Sequence, residues 1–277
     1  MSIRTNGRNL VIAGVLSLLA SVAAAQTAAP AVPGTFEPKV GQAGKDAVWV
    51  PTPDALVQRM LDVAKVTPAD YLIDLGSGDG RTVIAAAKRG LRAHGIEYNP
   101  DMVKLAQAAA RREGVTDRAT FEQADLFTRT AELRKAQVIT MFLLSSINLR
   151  LRPELLDLEP GTRIVSNTFR MSDWEPDQES RIEGGCTSWC EALLWIVPAK
   201  VAGTWQVGNQ SLVFTQEFQR VRGTLGTAEV TEGRLSGRGI SFMVGGARYT
   251  GTVNGDAITG TGPGGAFTAR RVATPAR

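Results

Sequence analysis

Residues 71 to 80 read YLIDLGSGDG: an apolar run, an acid, then glycines at alternate positions. Tyr71, Leu72, Ile73 and Leu75 have the character of a short buried strand. Gly76, Gly78 and Gly80 let the backbone take positive φ and approach a bound molecule closely. The helix-forming stretch Arg81 to Arg89 follows at once, which puts the turn at a helix N-terminus. A strand, a glycine turn and a helix in immediate succession describe a parallel strand ending in a turn built to touch a ligand, a pattern that several nucleotide-binding folds share. The spacing is G-x-G-x-G, and Arg81 stands where the dinucleotide fingerprint has its third glycine, which argues against NAD.

The next two strands narrow the ligand. Arg92 to Glu97 ends in an acid, which at the tip of a second strand accepts hydrogen bonds from ribose hydroxyls. A third strand, Ala119 to Ala124, ends at Asp125, placed to receive the exocyclic amine of adenine. Three successive tips thus offer a close-approach turn, a ribose acceptor and a base acceptor. An adenosine compound without a pyrophosphate matches that set, and S-adenosylmethionine (SAM) is such a compound.

DLGSGDGR (Asp74–Arg81), GIEYNP (Gly95–Pro100) and ADLF (Ala124–Phe127) resemble the successive motifs of class I SAM-dependent methyltransferases. VPTP (Val50–Pro53), the IDLGSGDGRTVIAAAKRG run and FRMSDWEPD (Phe169–Asp177) resemble one branch of them more narrowly. That branch contains the mitochondrial lysine methyltransferases acting on ATP-synthase c-subunits, and exported bacterial relatives. The similarity covers residues 48 to 198. It implies a Rossmann-like doubly wound sheet and methylation of an amine such as a protein lysine by in-line transfer from SAM. It also implies that Gly76, Ser77, Gly78 and Gly80 line the turn around the cofactor while Asp74 holds the methionine amine. Glu97 then binds the ribose, and Asp125 and Leu126 meet the adenine. Asp79 is either a further cofactor contact or the N-cap of the helix from Arg81.

Residues 1 to 25 read as a cleaved secretory signal. Arg4 and Arg8 are the basic region, Leu10 to Val22 the apolar region, and Ala23-Ala24-Ala25 a small-residue cleavage site before Gln26. The apolar run is shorter than the ~20 residues that span a bilayer, so no membrane span is expected after cleavage, and a periplasmic location follows. Residues 26 to 47, rich in Ala, Pro and Gly, read as a linker. Export places Cys186 and Cys190 in an oxidising compartment. They are either a disulfide, worth roughly 2 kcal/mol on loop entropy, or two thiols in a hairpin strand. The net charge of +4 is mild and no basic run stands out, so nucleic acid is not an expected partner. One histidine leaves too few ligands for a metal site.

Thr52 and Pro53 read as the N-cap and first residue of a helix carrying Leu56, Met60 and Val63. Asn99 and Pro100 repeat the signal, and Gly114 stops that helix. A fourth strand is expected over Gln137 to Leu144, a helix broken by Pro153 over Ser146 to Leu158, and a fifth strand over Arg163 to Phe169. A hairpin, Ser180 to Glu183 with Glu191 to Val197, completes the sheet. After Pro198 the helical periodicity ends. Residues 200 to 273 alternate in the strand manner between glycine turns, with Asn254-Gly255 as a hairpin signal. This module is an antiparallel barrel or sandwich with Trp205, Phe214, Phe218, Phe242 and Tyr249 in its core.

The acceptor side is sparsely marked. Ser145, Ser146 and Asn148 follow strand four, either orienting an amine or capping the next helix. The Asn/Asp-Pro-Pro-Tyr/Phe motif of adenine or glutamine amino methylation is absent. His94 lies inside strand two, away from its tip, as a structural residue, and no catalytic acid or base can be named. The competing functional reading is an exported module that holds an adenosine-type ligand or a protein without turnover.

Overall fold

The computed structural model describes residues 36–184 and 186–273, so the leader expected over residues 1–25 lies outside the described residues. From the N-terminal side the elements are α1 (Asp54–Val63), β1 (Tyr71–Leu75), α2 (Arg81–Lys88), β2 (Arg92–Glu97), α3 (Pro100–Arg112) and β3 (Ala119–Gln123). They continue through β4 (Val138–Met141), α4 (Ser145–Leu156), β5 (Arg163–Asn167), β6 (Gln178–Arg181) and β7 (Glu191–Ile196). The sheet runs in the order β3-β2-β1-β4-β5-β7-β6. Its first five members are parallel, and β7 lies antiparallel against β5 and β6. The C-terminal tips of β1 to β5 therefore share one edge, where a doubly wound sheet binds its ligands.

The period-2 alternation of strand side chains divides the core into two layers. Leu72, Val138 and Val165 face one layer with Leu56, Leu61 and Val83 of the helices. Ile73, Leu75, Ile139 and Ile164 face the other with Leu151, Leu155, Trp174 and Trp195. Each fully buried aliphatic side chain contributes about 1.5–3 kcal/mol, so a sheet covered on both faces must be apolar along its whole length.

Several element ends differ from the sequence reading. Pro53, not Thr52, is the N-cap of α1, in an extended conformation and without a side-chain cap. Thr52 is drawn beneath the helix, where Arg81 donates to its carbonyl at 3.0 Å and Asn167 to its hydroxyl at 3.4 Å. Asn99 does cap α3, accepting from Asp101 N–H at 2.9 Å, and Gly114 follows it with φ +67°. β4 ends at Met141, three residues short of expectation, because the chain leaves the sheet to line the site. Pro153 sits within an unbroken α4; the carbonyl it leaves unpaired belongs to Leu149, a residue exposed enough for water to satisfy it.

The C-terminal module is a closed eight-stranded barrel rather than a sandwich. Its strands are β8 (Gly203–Val207), β9 (Gln210–Glu217), β10 (Arg220–Leu225), β11 (Ala228–Ser236), β12 (Gly239–Val244), β13 (Ala247–Asn254), β14 (Ala257–Gly262) and β15 (Gly265–Arg271). Antiparallel pairing of β15 with β8 closes it and removes the exposed edges. Trp205, Phe214 and Phe242 fill the interior, with Phe214 edge-on to Phe242 at 5.4 Å. Phe218 is not part of that core. It sits at positive φ in the β9–β10 turn and stacks on Trp174 of the sheet domain at 5.9 Å. Beside it, Gln219 donates to the Glu175 carbonyl at 2.7 Å and Arg234 pairs with Asp177 at 2.8 Å.

Gly80 is the residue on which the glycine turn depends most. Its φ is +82°, and a Cβ there would lie 2.7 Å from the Phe121 ring and 2.8 Å from Ala106. We expect Gly80→Ala to lower unfolding stability by about 3 kcal/mol, combining left-handed strain with overpacking. Urea denaturation would measure this, and a loss below about 1 kcal/mol would contradict the packing described.

Candidate active site

One cavity opens at the shared sheet edge, and five segments line it. These are the β1–α2 turn, the tip of β2, the loop after β3, the tip of β4, and the stretch Gln42–Thr52. Among the residues singled out in the sequence, Asp74, Gly76, Ser77, Gly78, Asp79, Glu97, Asp125 and Leu126 line it together. Gly80 does not; it packs into the α3–β3 side, and its place is to start α2.

The turn is fastened to β2 through its backbone. Gly76 and Ser77 donate to the Ile96 carbonyl at 2.9 and 3.1 Å, and Gly78 donates to Glu97 Oε2 at 2.9 Å. The other Glu97 oxygen accepts from Asn99 N–H at 2.9 Å. Glu97 is thereby held with its carboxylate at the cavity wall, each oxygen retaining lone pairs for a ligand's hydroxyls. The Ser77 hydroxyl is buried without a partner and packs toward Gly95, where a Cβ would come within 2.5 Å of it. Only the backbone of Ser77 is left to face a ligand. Asp79 is not the N-cap of α2: Gly80 holds that place, with no side-chain cap, while Asp79 accepts from Arg81 N–H at 3.3 Å and grips the Arg81 guanidinium with both oxygens.

Asp74 is buried at the end of β1, and Thr140 of β4 donates to its Oδ1 at 2.7 Å. Its carboxyl is pushed up to about 7, chiefly by burial and further by the nearby charges of Glu97 and Asp79, against the opposing hydrogen bond from Thr140. A ligand cation beside Asp74 would relieve that penalty.

Gln42–Trp49 is the largest departure from the sequence reading, which assigned residues 26–47 to a linker. Ala43 and Val48 form a β-bridge, and Trp49 and Gln42 close a tight hairpin through backbone bonds. The hairpin lies across the cavity. The Trp49 indole covers Gly78 so closely that a Cβ on Gly78 would be 2.7 Å from Nε1. Lys45 forms an ion pair with Asp125 and lies over the Tyr98 ring at 5.1 Å. Lys45 and the Phe127 N–H together hold the Asp125 carboxyl below the usual carboxylate range. Composition marked this segment as loop, and only Trp49 in it carried a signal of packing.

The helix-capping role considered for Ser145 and Ser146 is not seen: α4 has Leu144 at its N-cap and no side-chain cap. Asn148 is fully buried and donates to the Phe169 carbonyl at 3.0 Å, tying α4 to the loop after β5. His94 lies in β2 outside the cavity, hydrogen-bonded to Thr120 Oγ1 at 2.8 Å. Among the described residues no cluster has the composition of a metal site.

Comparison with known proteins shows the family of the chain and its methyl donor. Residues 74–178 match the family model of the ANTKMT methyltransferase domain. A protein-lysine N-methyltransferase of Saccharolobus islandicus is 41% identical over 140 residues, which is 50% of this chain and 86% of that relative. The chain belongs to the SAM-dependent methyltransferases of this family. The human lysine N-methyltransferase of the ATP-synthase c-subunit is 39% identical over 119 residues, and the match spans 50% of that protein and 43% of this chain. Among solved structures, the RNA methyltransferase from Salinibacter ruber in complex with S-adenosyl-L-homocysteine shares 45% identity with a TM-score of 0.51, covering 55% of this chain and 96% of that one. SAM is accordingly the methyl donor of this methyltransferase. The cavity suits it chemically. Its lining offers the acceptors Asp74, Glu97 and Asp125, as a molecule with ammonium, hydroxyl and amine donors requires, and apolar walls from Ile96, Met102, Leu126 and Phe142.

The raised Asp74 carboxyl has two consequences of defined sign. Between pH 3.8 and about 7 the folded chain keeps a proton that the unfolded chain has released, so the ligand-free protein loses stability as pH rises through that window. Binding of a cationic ligand needs the ionised form and strengthens over the same rise. Calorimetry from about pH 6 to about pH 8 should show SAM affinity increasing with proton release. Asp74→Asn should abolish that dependence, and a flat profile in the unsubstituted protein would contradict the assignment.

Proposed function

We propose that the enzyme methylates the ε-amino group of a lysine in a protein. The observation that carries this reading is the extent of the match to the archaeal protein-lysine N-methyltransferase, which takes in most of that relative. The similarity to the RNA methyltransferase from Salinibacter ruber raises an RNA acceptor as the second reading. The cavity's charge favours the first: Asp46, Asp74, Asp79, Glu97 and Asp125 outnumber Lys45 and Arg81 around it, whereas a polyanion needs a basic surface.

In this reading Asp74 meets the methionine ammonium, Glu97 the ribose hydroxyls, and Leu126 the adenine face. Asp125 already accepts from Lys45 on one oxygen and from Phe127 N–H on the other, and it takes the adenine amine on a lone pair left beside them. Asp79, held by Arg81, shapes the turn. When bound, SAM would supply a methyl group on a sulfonium for attack by a lysine amine that has left its proton in bulk solvent before entering, the C–S electron pair returning to sulfur as the C–N bond forms. What the chain contributes is alignment and exclusion of water. Phe142, Leu143 and Ile147 form an apolar wall beside the turn, and desolvation there favours the uncharged amine that can attack.

Incubation with SAM, a lysine-rich protein and an RNA of matched length, followed by mass spectrometry, distinguishes the two acceptors. Lysine methylation is expected. Methyl groups on the RNA alone would overturn the reading. Glu97→Ala should weaken S-adenosylhomocysteine binding by about tenfold or more, through lost charge-assisted bonds and a loosened turn; unchanged affinity would show that the ribose lies elsewhere.

Export remains part of the proposal. A disulfide joins Cys186 and Cys190, in keeping with an oxidising compartment. The mature protein recovered from the periplasm should begin at Gln26, and an unprocessed cytoplasmic protein would contradict this.

A further inference from the structure

The same sheet edge carries an aromatic run that starts at the cofactor cavity wall with Phe142 and continues beyond it through Phe169 and Trp189. Phe142 follows β4, Phe169 follows β5, and Trp189 precedes β7. Because β7 is antiparallel, with Ala192 opposite Asn167, its start lies at the same edge as the ends of β4 and β5. Phe142 lines the cofactor cavity and is flanked on both sides. The Phe169 ring stacks on it at 5.9 Å, and the Trp189 ring stands tilted to it at 6.0 Å. The aromatic surface therefore runs continuously from the cavity to solvent, where Trp189 is 43% exposed.

Two independent constraints hold this surface in place. Ser166 Oγ and Asn148 Nδ2 both donate to the Phe169 carbonyl, at 2.8 and 3.0 Å. Trp189 has φ +55°, an unfavourable conformation for a bulky residue, and lies inside the loop closed by the Cys186–Cys190 disulfide. Cys190 is buried, so the bond anchors the loop to the protein interior. A large indole left exposed, next to a cavity and on a tethered loop, has the properties of a binding element rather than of core.

We propose that Phe142, Phe169 and Trp189 form the acceptor ledge, which takes the alkyl stem and amino head of the lysine, and that the Cys186–Cys190 disulfide positions Trp189 for it. This rests on the lysine reading above. Aromatic faces attract an alkylammonium, most strongly a methylated one, and the ledge begins at the cavity wall where the methyl group must be delivered. Aromatic faces also stack nucleobases, and it is the acidic lining of the adjoining cavity that favours an alkylammonium over a polyanion as the occupant.

Binding, rather than turnover, gives the clearest test. A trimethyllysine peptide is titrated into the full chain saturated with S-adenosylhomocysteine, with Trp189→Ala, Trp189→Phe and the double Cys186→Ser/Cys190→Ser variant alongside. Trp189→Ala should weaken peptide binding about fivefold, the loss expected for one partly exposed cation–π face, and Trp189→Phe should restore most of it. The double serine variant, or wild type treated with dithiothreitol, should weaken it in the same direction. S-adenosylhomocysteine affinity should stay unchanged throughout, which separates a lost ledge from a misfolded chain. If wild type and Trp189→Ala bind the peptide equally, the ledge is wrong and the lysine reading stands. If wild type does not bind the peptide at all, while retaining S-adenosylhomocysteine, the lysine reading falls and takes the ledge with it.

Discussion

The attachment of the β1–α2 turn to β2 is the constraint around which the rest of the site is arranged. Three successive N–H groups, from Gly76, Ser77 and Gly78, bond to the Ile96 carbonyl and the Glu97 carboxylate. The Ile96 carbonyl takes the first two of these donors and the Glu97 carboxylate the third, and in exchange the turn fixes where that acid stands. The close packing of Gly80 against Phe121 and Ala106 completes the arrangement. A ligand meeting this wall finds backbone and carboxylate already oriented, so little reorganisation is needed on binding.

Charge gives the site its second organising feature. Asp74, Glu97 and Asp79 stand close enough for their repulsion to add to the burial that raises the Asp74 carboxyl. The ligand-free cavity is therefore electrostatically unfavourable, and the donor it binds is a cation. Lys45, reaching across on the Gln42–Trp49 hairpin to Asp125, supplies part of the missing positive charge from within the chain.

The barrel meets the sheet domain through ion pairs such as Arg234–Asp177 and Arg238–Glu159 and through aromatic packing. Phe218 stacks on Trp174, and Trp174 in turn packs against Trp195 of β7 at 6.2 Å. The Trp195 indole donates to the Trp174 carbonyl at 2.7 Å. This aromatic column gives the C-terminal module a direct packing connection to the strand that begins just after the disulfide loop.

What the sequence determined by itself was everything written in local pattern. The apolar runs of β1 and β4, the glycine turn, the acids at the tips of β2 and β3, the Asn99-Pro100 start of α3 and the alternation of the C-terminal strands are all short-range signals. Their physical causes, period-2 burial, positive φ and N-capping, act within a few residues. Tertiary structure alone decided what depends on distant partners. Trp49 lies on Gly78, Lys45 pairs with Asp125, and Trp189 stands beside Phe142, contacts between residues far apart in the chain that leave no periodicity to read. Thr52 lost its expected cap to bonds from Arg81 and Asn167, and Phe218 left the barrel core for Trp174. Closure of the barrel likewise rests on β15 meeting β8. In each case the energy comes from a surface that exists only once the sheet has assembled, so the cofactor wall was legible in the sequence, while the hairpin over it and the aromatic ledge beside it were not.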